Sequence, residues 1–261
     1  MKLNLILNYI SNFIDLNERG KFDKCWRFNN KGWSAKCKKN VLEMDCFRSL
    51  LISTLWIVVF SSYFCTDIPS PLMTKLRGPI YNETSGDHGF DMSSIEYNLL
   101  FTLYYLPQSF FPLFGGLFLD KIGKGLGIMI FTALFSFGQL TVFISPFFLP
   151  KFVGAAKTFI YIGRFLLGTA AGMVSTAEST FITTWFRGLE ISFAMGVDIS
   201  IARFGSIFNN VMQPILYNAF GLQNFYLCFG VGFLMSLIPL ACAIFLSLLE
   251  FQFKKNEKSI S

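Results

Sequence analysis

Histidine and charge are what this sequence has least of. Its one histidine, His88, lies between Asp87 and Gly89 in a polar stretch, which leaves no imidazole for general-base chemistry or metal ligation in any apolar segment. Charged residues make up 15% of the chain against about 25% in soluble domains, so an ordinary soluble domain is excluded. The six cysteines, Cys25, Cys37, Cys46, Cys65, Cys228 and Cys242, form no C-x-x-C pair and no second cluster at a zinc-like spacing, and they read as free thiols. No G-x-S-x-G and no paired-aspartate signature is present, so an enzyme working inside the membrane has no nucleophile and base to use. No catalytic residue, metal or cofactor is expected. The net charge of +6 would suit nucleic acid only if it formed a stripe, and the basic residues gather instead at segment ends.

Apolar length is what the sequence has in excess. Hydrophobic residues are 53% of the chain and 33 residues are Phe, a side chain that partitions well into a bilayer centre. Six segments, 49–66, 97–119, 126–149, 159–185, 191–219 and 225–249, approach or exceed the about 20 residues a transmembrane helix needs. The bilayer is therefore the expected solvent, and the expected fold is an all-α integral membrane bundle of six helices over 49–249. A basic tail, 1–48, precedes it and a short tail, 250–261, follows. Lys and Arg number ten in 1–48, two in 120–125, one in 186–190 and three in 250–261, against four (Lys75, Arg77, Lys151, Lys157) in the other connections. Cytosolic flanks retain positive charge, so both tails are expected in the cytosol and the 67–96 loop opposite. That loop holds the one sequon, Asn82-Glu83-Thr84, on the side where glycosylation occurs. Leu3, Ile6, Leu7, Ile10, Phe13 and Ile14 recur at helical spacing, but Asn4 and Asn8 interrupt the run and no small-x-small cleavage site follows. An interfacial amphipathic helix is expected there rather than a signal peptide, with 17–48 poorly ordered or membrane-associated.

Where the second segment ends, the chain reads Gly115-Gly116-Leu117-Phe118-Leu119-Asp120-Lys121-Ile122-Gly123-Lys124. This resembles the G-x-x-x-D-[RK]-x-G-[RK] signature of the major facilitator superfamily, in the position between helices two and three that the signature takes. Gly116 would admit a neighbouring helix. Asp120 would face a helix N-terminus and reach Arg187 at the end of helix four, and Gly123 would permit the tight turn. Lys121 and Lys124 complete this gating motif. Within the superfamily the chain is similar to the branch of lysosomal dipeptide transporters. The likeness is carried by Ser62-Tyr63-Phe64-Cys65-Thr66-Asp67-Ile68-Pro69, Tyr97-Asn98-Leu99-Leu100 through Pro107, and Gly163-Arg164-Phe165 with Gly168. Ser179-Thr180 with Trp185-Phe186 and Ala202-Arg203-Phe204-Gly205-Ser206 extend it. The resemblance implies twelve helices with a cavity between two six-helix halves, of which this chain supplies the N-terminal one and is expected to be truncated.

Ionisable residues inside spanning helices are costly and mark functional sites by default. Four occur: Arg164, Glu178, Asp198 and Arg203. Arg164, Gly168, Ala171, Ser175 and Glu178 recur at three or four residues and should turn one small, polar stripe inward. Gly168 and Gly172 form a G-x-x-x-G whose expected use is close helix packing. Ser200, Arg203, Ser206 and Asn210 share a broad face of helix five, where a guanidinium suits a substrate carboxylate; the resemblance implies that role for Arg203. The alternative for Arg203 is a buried ion pair with Glu178 or Asp198 that fixes packing. Arg164, near the opposite end of helix four, is read either as substrate contact or as snorkelled or packed. The branch carries an acid just after its helix-four glycine pair where this chain has Met173, and Glu178 is the residue available to replace it, facing a substrate amine or pairing with Arg203. Asp198 lies about 140° round its helix from Arg203 and is expected to address a different neighbour. Pro107 and Pro112 should kink helix two, beside which Tyr104, Tyr105 and Gln108 are candidates to line a cavity.

The function implied is dipeptide uniport across the lysosomal membrane by alternating access, with a glycosylated single-span subunit as partner. Two alternatives stand beside it: a proton-coupled carrier of sugars or organic anions, with Glu178 titrating, and a non-transporting membrane accessory protein. Leu50-Leu51 lies too near the membrane to be read as a sorting signal, so the lysosomal address is implied by the resemblance alone.

Overall fold

The computed structural model describes residues 35–79, 89–149, 151–186, 189–219 and 225–260. The amphipathic segment 1–16, the sequon at Asn82, His88, Arg187 and the turn at Gly221 lie outside them. Six long helices account for nearly all of the described chain, and no strand occurs among its residues: α1 Ala35–Thr66, α2 Ser94–Ile122, α3 Lys124–Ile144, α4 Val153–Trp185, α5 Leu189–Ala219 and α6 Phe225–Ile260. A single helical turn, Met73–Leu76, follows α1, and a 3-10 turn, Ser145–Phe148, follows α3.

Two boundaries differ from expectation for one reason. Neither the polar stretch 35–48 nor 250–260 contains Gly or Pro, so nothing stops helix from propagating out of the apolar segment; α1 starts well before residue 49 and α6 runs on to Ile260. The six helices are not equally apolar. Among the described residues four helical stretches are long and apolar enough to cross a membrane, Lys124–Phe148, Val153–Thr184, Glu190–Asn218 and Phe225–Leu248, while α1 offers the shorter Leu50–Thr66. α2 has the length, at 29 residues, but Asn98, Tyr104, Tyr105, Gln108 and two prolines dilute its apolarity.

Helix contacts follow the order α2, α4, α3, α6, α1, α5, with lighter contacts joining α1 to α4. This pairing is unchanged when α1, α2 and α3 are exchanged for α4, α5 and α6: α4 holds α2 and α3 as α1 holds α5 and α6, and α3 meets α6. A three-plus-three repeat of this kind builds many transporter bundles. The two ends of the arc, α2 and α5, carry many exposed apolar side chains, among them Phe110, Leu113 and Phe114 on one and Phe193, Phe204 and Ile207 on the other.

Glycines set the closest approaches. A Cβ on Gly168 would overlap the Tyr104 carbonyl, and one on Gly172 would lie 2.8 Å from the Gln108 carbonyl oxygen and 3.1 Å from Pro112 Cδ, so α4 and α2 touch backbone to backbone. Pro112 has no N–H to give the Gln108 carbonyl, and α4 covers that break. Gly205 brings α5 onto Phe60 of α1 in the same way.

Two apolar cores stack along the bundle. One, around Leu55, Val58, Phe131, Val174 and Phe181, lies toward the Gly123 turn. The other, around Phe64, Leu72, Leu76, Phe135, Leu167 and Phe229, lies at the end carrying the 67–96 loop. Phe90 and Met92 from that loop are part of the second core, and Phe90 meets Phe225 edge-on at 5.1 Å. Three backbone bonds, Gly89 N–H to Pro79 O (2.9 Å), Asp91 N–H to Gly78 O (2.9 Å) and Met92 N–H to Leu76 O (3.2 Å), hold the loop's two limbs together.

At this end α2 opens on a capping box, in which Ser93 accepts from the Glu96 N–H and Glu96 accepts from the Ser93 N–H at 2.8 Å. Lys157 of α4 donates to both Glu96 carboxylate oxygens at 3.0 Å and to the Asp91 carbonyl at 2.9 Å. The Ser93 N–H first, and Lys157 second, hold the Glu96 carboxyl below the usual carboxylate range. A depressed carboxyl contributes stability that is fully present above its unfolded pKa of about 4.3 and is lost as pH falls through the lower folded value. The melting-temperature gap between the parent and Glu96→Gln should therefore stay constant from about pH 7 to about pH 5 and close below about pH 4. The pair is part-exposed, so the gap is worth no more than about 1 kcal/mol. A gap that closed between pH 7 and pH 5 would contradict the assignment.

Candidate functional site

Arg164 is the largest fully buried side chain, 1% exposed. It does not snorkel, because acceptors lie closer than water. Thr66 is the last residue of α1, where carbonyls lack a helical partner and the dipole is negative; its carbonyl accepts from Arg164 Nη1 at 2.8 Å. The Leu100 carbonyl of α2 accepts from Nε at 3.4 Å. The guanidinium carbon sits 4.9 Å from the Tyr104 ring centre and 5.7 Å from that of Phe101, in range for a cation–π contact. Tyr104 is buried in turn, with its hydroxyl 2.9 Å from Thr66 Oγ1. Arg164 and Tyr104 thus join α1, α2 and α4 from inside the bundle. Gln108 is half-buried on α2 beside them.

A second group gathers where α1, α4 and α5 meet. Tyr63, exposed on α1, lies within electrostatic reach of Arg203, Glu178, Asp198 and Asp67. Glu178 of α4 is buried, with Oε1 unpartnered, and Asp198 of α5 acts on it electrostatically and leaves its own Oδ1 unpartnered. Arg203 is exposed, and among the described residues it makes no hydrogen bond and no ion pair within 4.0 Å. The packing ion pair with Glu178 or Asp198 is therefore not formed. Asp198 and Arg203 diverge round α5, and Asp198 acts electrostatically on Glu178 while both act on Tyr63. Further along α5, Asn210 is exposed, while Asn209 is fully buried with both amide atoms unpartnered. Ser200 and Ser206 donate to their own helix, at Gly196 O and Ala202 O.

The turn motif occupies the α2–α3 junction. Gly123 has φ 98° and ψ 154°, a conformation close to glycine-only, and its N–H caps α2 at the Leu119 carbonyl, 2.9 Å away. The tight approach to α4 is made by Gly115, whose added Cβ would stand 3.3 Å from Met173 Cα, more than by Gly116, whose nearest neighbour is Thr176 Cγ2 at 3.9 Å. Lys124 Nζ donates to Thr184 Oγ1 at 2.7 Å, a second tie to the end of α4. Asp120 and Lys121 are exposed; the contact expected between Asp120 and Arg187 lies outside the described residues.

Two residues went unnoticed in the sequence as site candidates. Tyr63 carried only family likeness, though it stands among all the charges of the open group. Gln139 is a lone amide in the otherwise apolar 126–149, and that isolation was the available signal.

The model of the Major Facilitator Superfamily matches residues 55–259. The lysosomal dipeptide transporter MFSD1 of Homo sapiens is 25% identical over 211 residues, which cover 78% of this chain and 42% of that protein. Its Danio rerio counterpart is 26% identical over 163 residues, 62% of this chain and 32% of its own length. The probable sulfoacetate transporter SauU of Cupriavidus necator is 21% identical over 183 residues, 70% of this chain and 38% of the relative. The chain thus spans about two fifths of the length of the curated relatives it matches. With the motif seated on its glycine turn and a match running through all six helices, this multi-pass membrane chain belongs to the Major Facilitator Superfamily.

Proposed function

We propose that the chain forms one six-helix half of a carrier that moves dipeptides across the lysosomal membrane by alternating access. The observation that carries the reading is the open group: an unpaired, exposed Arg203 and two acids, Glu178 and Asp198, that each keep a carboxylate oxygen unpartnered, on the helices that meet around Tyr63. A zwitterion needs a cation for its carboxylate and an anion for its amine, and a bidentate guanidinium is well suited to the first. Glu178 and Asp198 serve the amine, with Gln108 and Asn210 at the margin. Arg164 and Tyr104, sealed inside the bundle, act on the site by holding α1, α2 and α4 in place. The Gly116–Lys124 motif, with Arg187, gates the opposite end. The named relatives support the substrate class and the lysosomal address, and a glycosylated single-span partner belongs with the same reading.

A second reading, an organic-anion carrier, draws on the sulfoacetate-named relative and on Arg203 alone. Uptake into proteoliposomes of the native gene product decides between them, using a labelled dipeptide and a labelled two-carbon sulfonate, each with and without an imposed pH gradient. Dipeptide uptake indifferent to the gradient is the expected result. Uptake of the sulfonate alone, or only under a gradient, moves the assignment to the second reading.

A further inference from the structure

Within the second core lies a small cavity of ≈ 10 Å³, walled by Cys65, Ile68, Leu100, Val142, Leu167 and Phe229, with Arg164 and Gln139 also in its lining. Its two polar members are each 1% exposed. Arg164 spends Nε and Nη1 on carbonyls of α2 and α1, but Nη2 has no protein partner. Gln139, from α3, has no partner at either amide atom. Buried polar groups are almost always hydrogen-bonded, and an unmatched group on a buried charge is the costliest kind.

We propose that this cavity is a hydration site, in which one water molecule bridges Arg164 Nη2 and the Gln139 amide. Size and chemistry both select water. A volume of this order admits about one water and nothing larger. The unpartnered set contains a cationic donor, which repels a metal ion, and both a donor and an acceptor on the amide. A halide would leave the acceptor unmet, whereas water accepts from Nη2 and donates to the Gln139 oxygen. The bridge links α3 to α4 across the repeat and keeps the guanidinium solvated with no carboxylate in ion-pair range.

Cys65 makes the site testable, because it lines the cavity while Cys228, as deeply buried, does not. Hydroxyl radicals made by synchrotron radiolysis travel only a short distance in protein, so a bound water oxidises the side chains beside it. In the intact protein in lipid nanodiscs and oxygen-18 water, Cys65 should take up label several-fold faster than Cys228. Gln139→Leu should bring the ratio down to about that of two dry thiols, as should Val142→Leu, which adds a methylene to the cavity and removes no polar atom. Equal labelling of Cys65 and Cys228 in the parent overturns the proposal. So does a ratio unchanged in folded Val142→Leu, or labelling of Cys65 that emerges only when chloride is replaced by gluconate.

Discussion

Replacing Arg203 by glutamine is expected to cut dipeptide uptake by at least tenfold and to leave the fold unchanged. A charge-assisted hydrogen bond is worth about 1.5–3 kcal/mol, and each 1.4 kcal/mol is about a factor of ten. Arg203 is exposed and makes no contact with another described side chain within bonding range, so its loss should shift stability by no more than about 0.5 kcal/mol. Arg203→Lys keeps the charge and loses the planar fork, and should fall between the two. The pairing of lost uptake with an unmoved melting temperature is the informative result. Full uptake by a folded Arg203→Gln would remove this arginine from the substrate path. A melting temperature that fell along with uptake would assign it a packing role instead.

Gly168→Ala is the substitution expected to damage the bundle most. The new methyl group would run into the Tyr104 backbone carbonyl, and backbone in the middle of a helix has nowhere to withdraw. Overpacking costs about 1–3 kcal/mol, and the upper end applies where the obstacle is backbone rather than the tip of a side chain. Gly172→Ala, facing the Gln108 carbonyl and Pro112, should follow closely. Gly154→Ala and Gly196→Ala meet nothing within 4 Å and should be neutral or slightly stabilising, since alanine restricts the unfolded chain. Thermal unfolding of the four variants in the same nanodiscs reads out the order. Four equal shifts would mean that close approach of α2 and α4 is not what Gly168 provides.

Much of the architecture was legible because lipid imposes simple rules on sequence. Apolar length located α3, α4, α5 and α6, and the glycine–aspartate–lysine signature located the α2–α3 turn to the residue. Where helix ended in tails was less legible. The stop is set by Gly and Pro rather than by the membrane surface, so α1 and α6 ran on through residues that read as tails. Charges inside helices announced that Arg164, Glu178, Asp198 and Arg203 mattered, but their roles depended on neighbours a helical wheel cannot see. The carbonyl that captures Arg164 belongs to the last residue of α1, nearly a hundred positions away. That Glu178, Asp198 and Arg203 all act on Tyr63 likewise follows from where α1 sits beside α4 and α5. Even the G-x-x-x-G was legible only as a surface for some helix, and the partner, α2 at its proline break, came from the fold.

The bonds that join Pro79 to Gly89 and Gly78 to Asp91 bring the two ends of the 80–88 segment to one place, beside Phe90 seated in the core. An insertion between those ends would therefore start and finish at the same point. For an experimenter, that is the place to graft an epitope or a rigid fiducial domain, because the graft would not change the spacing of the helices that carry it.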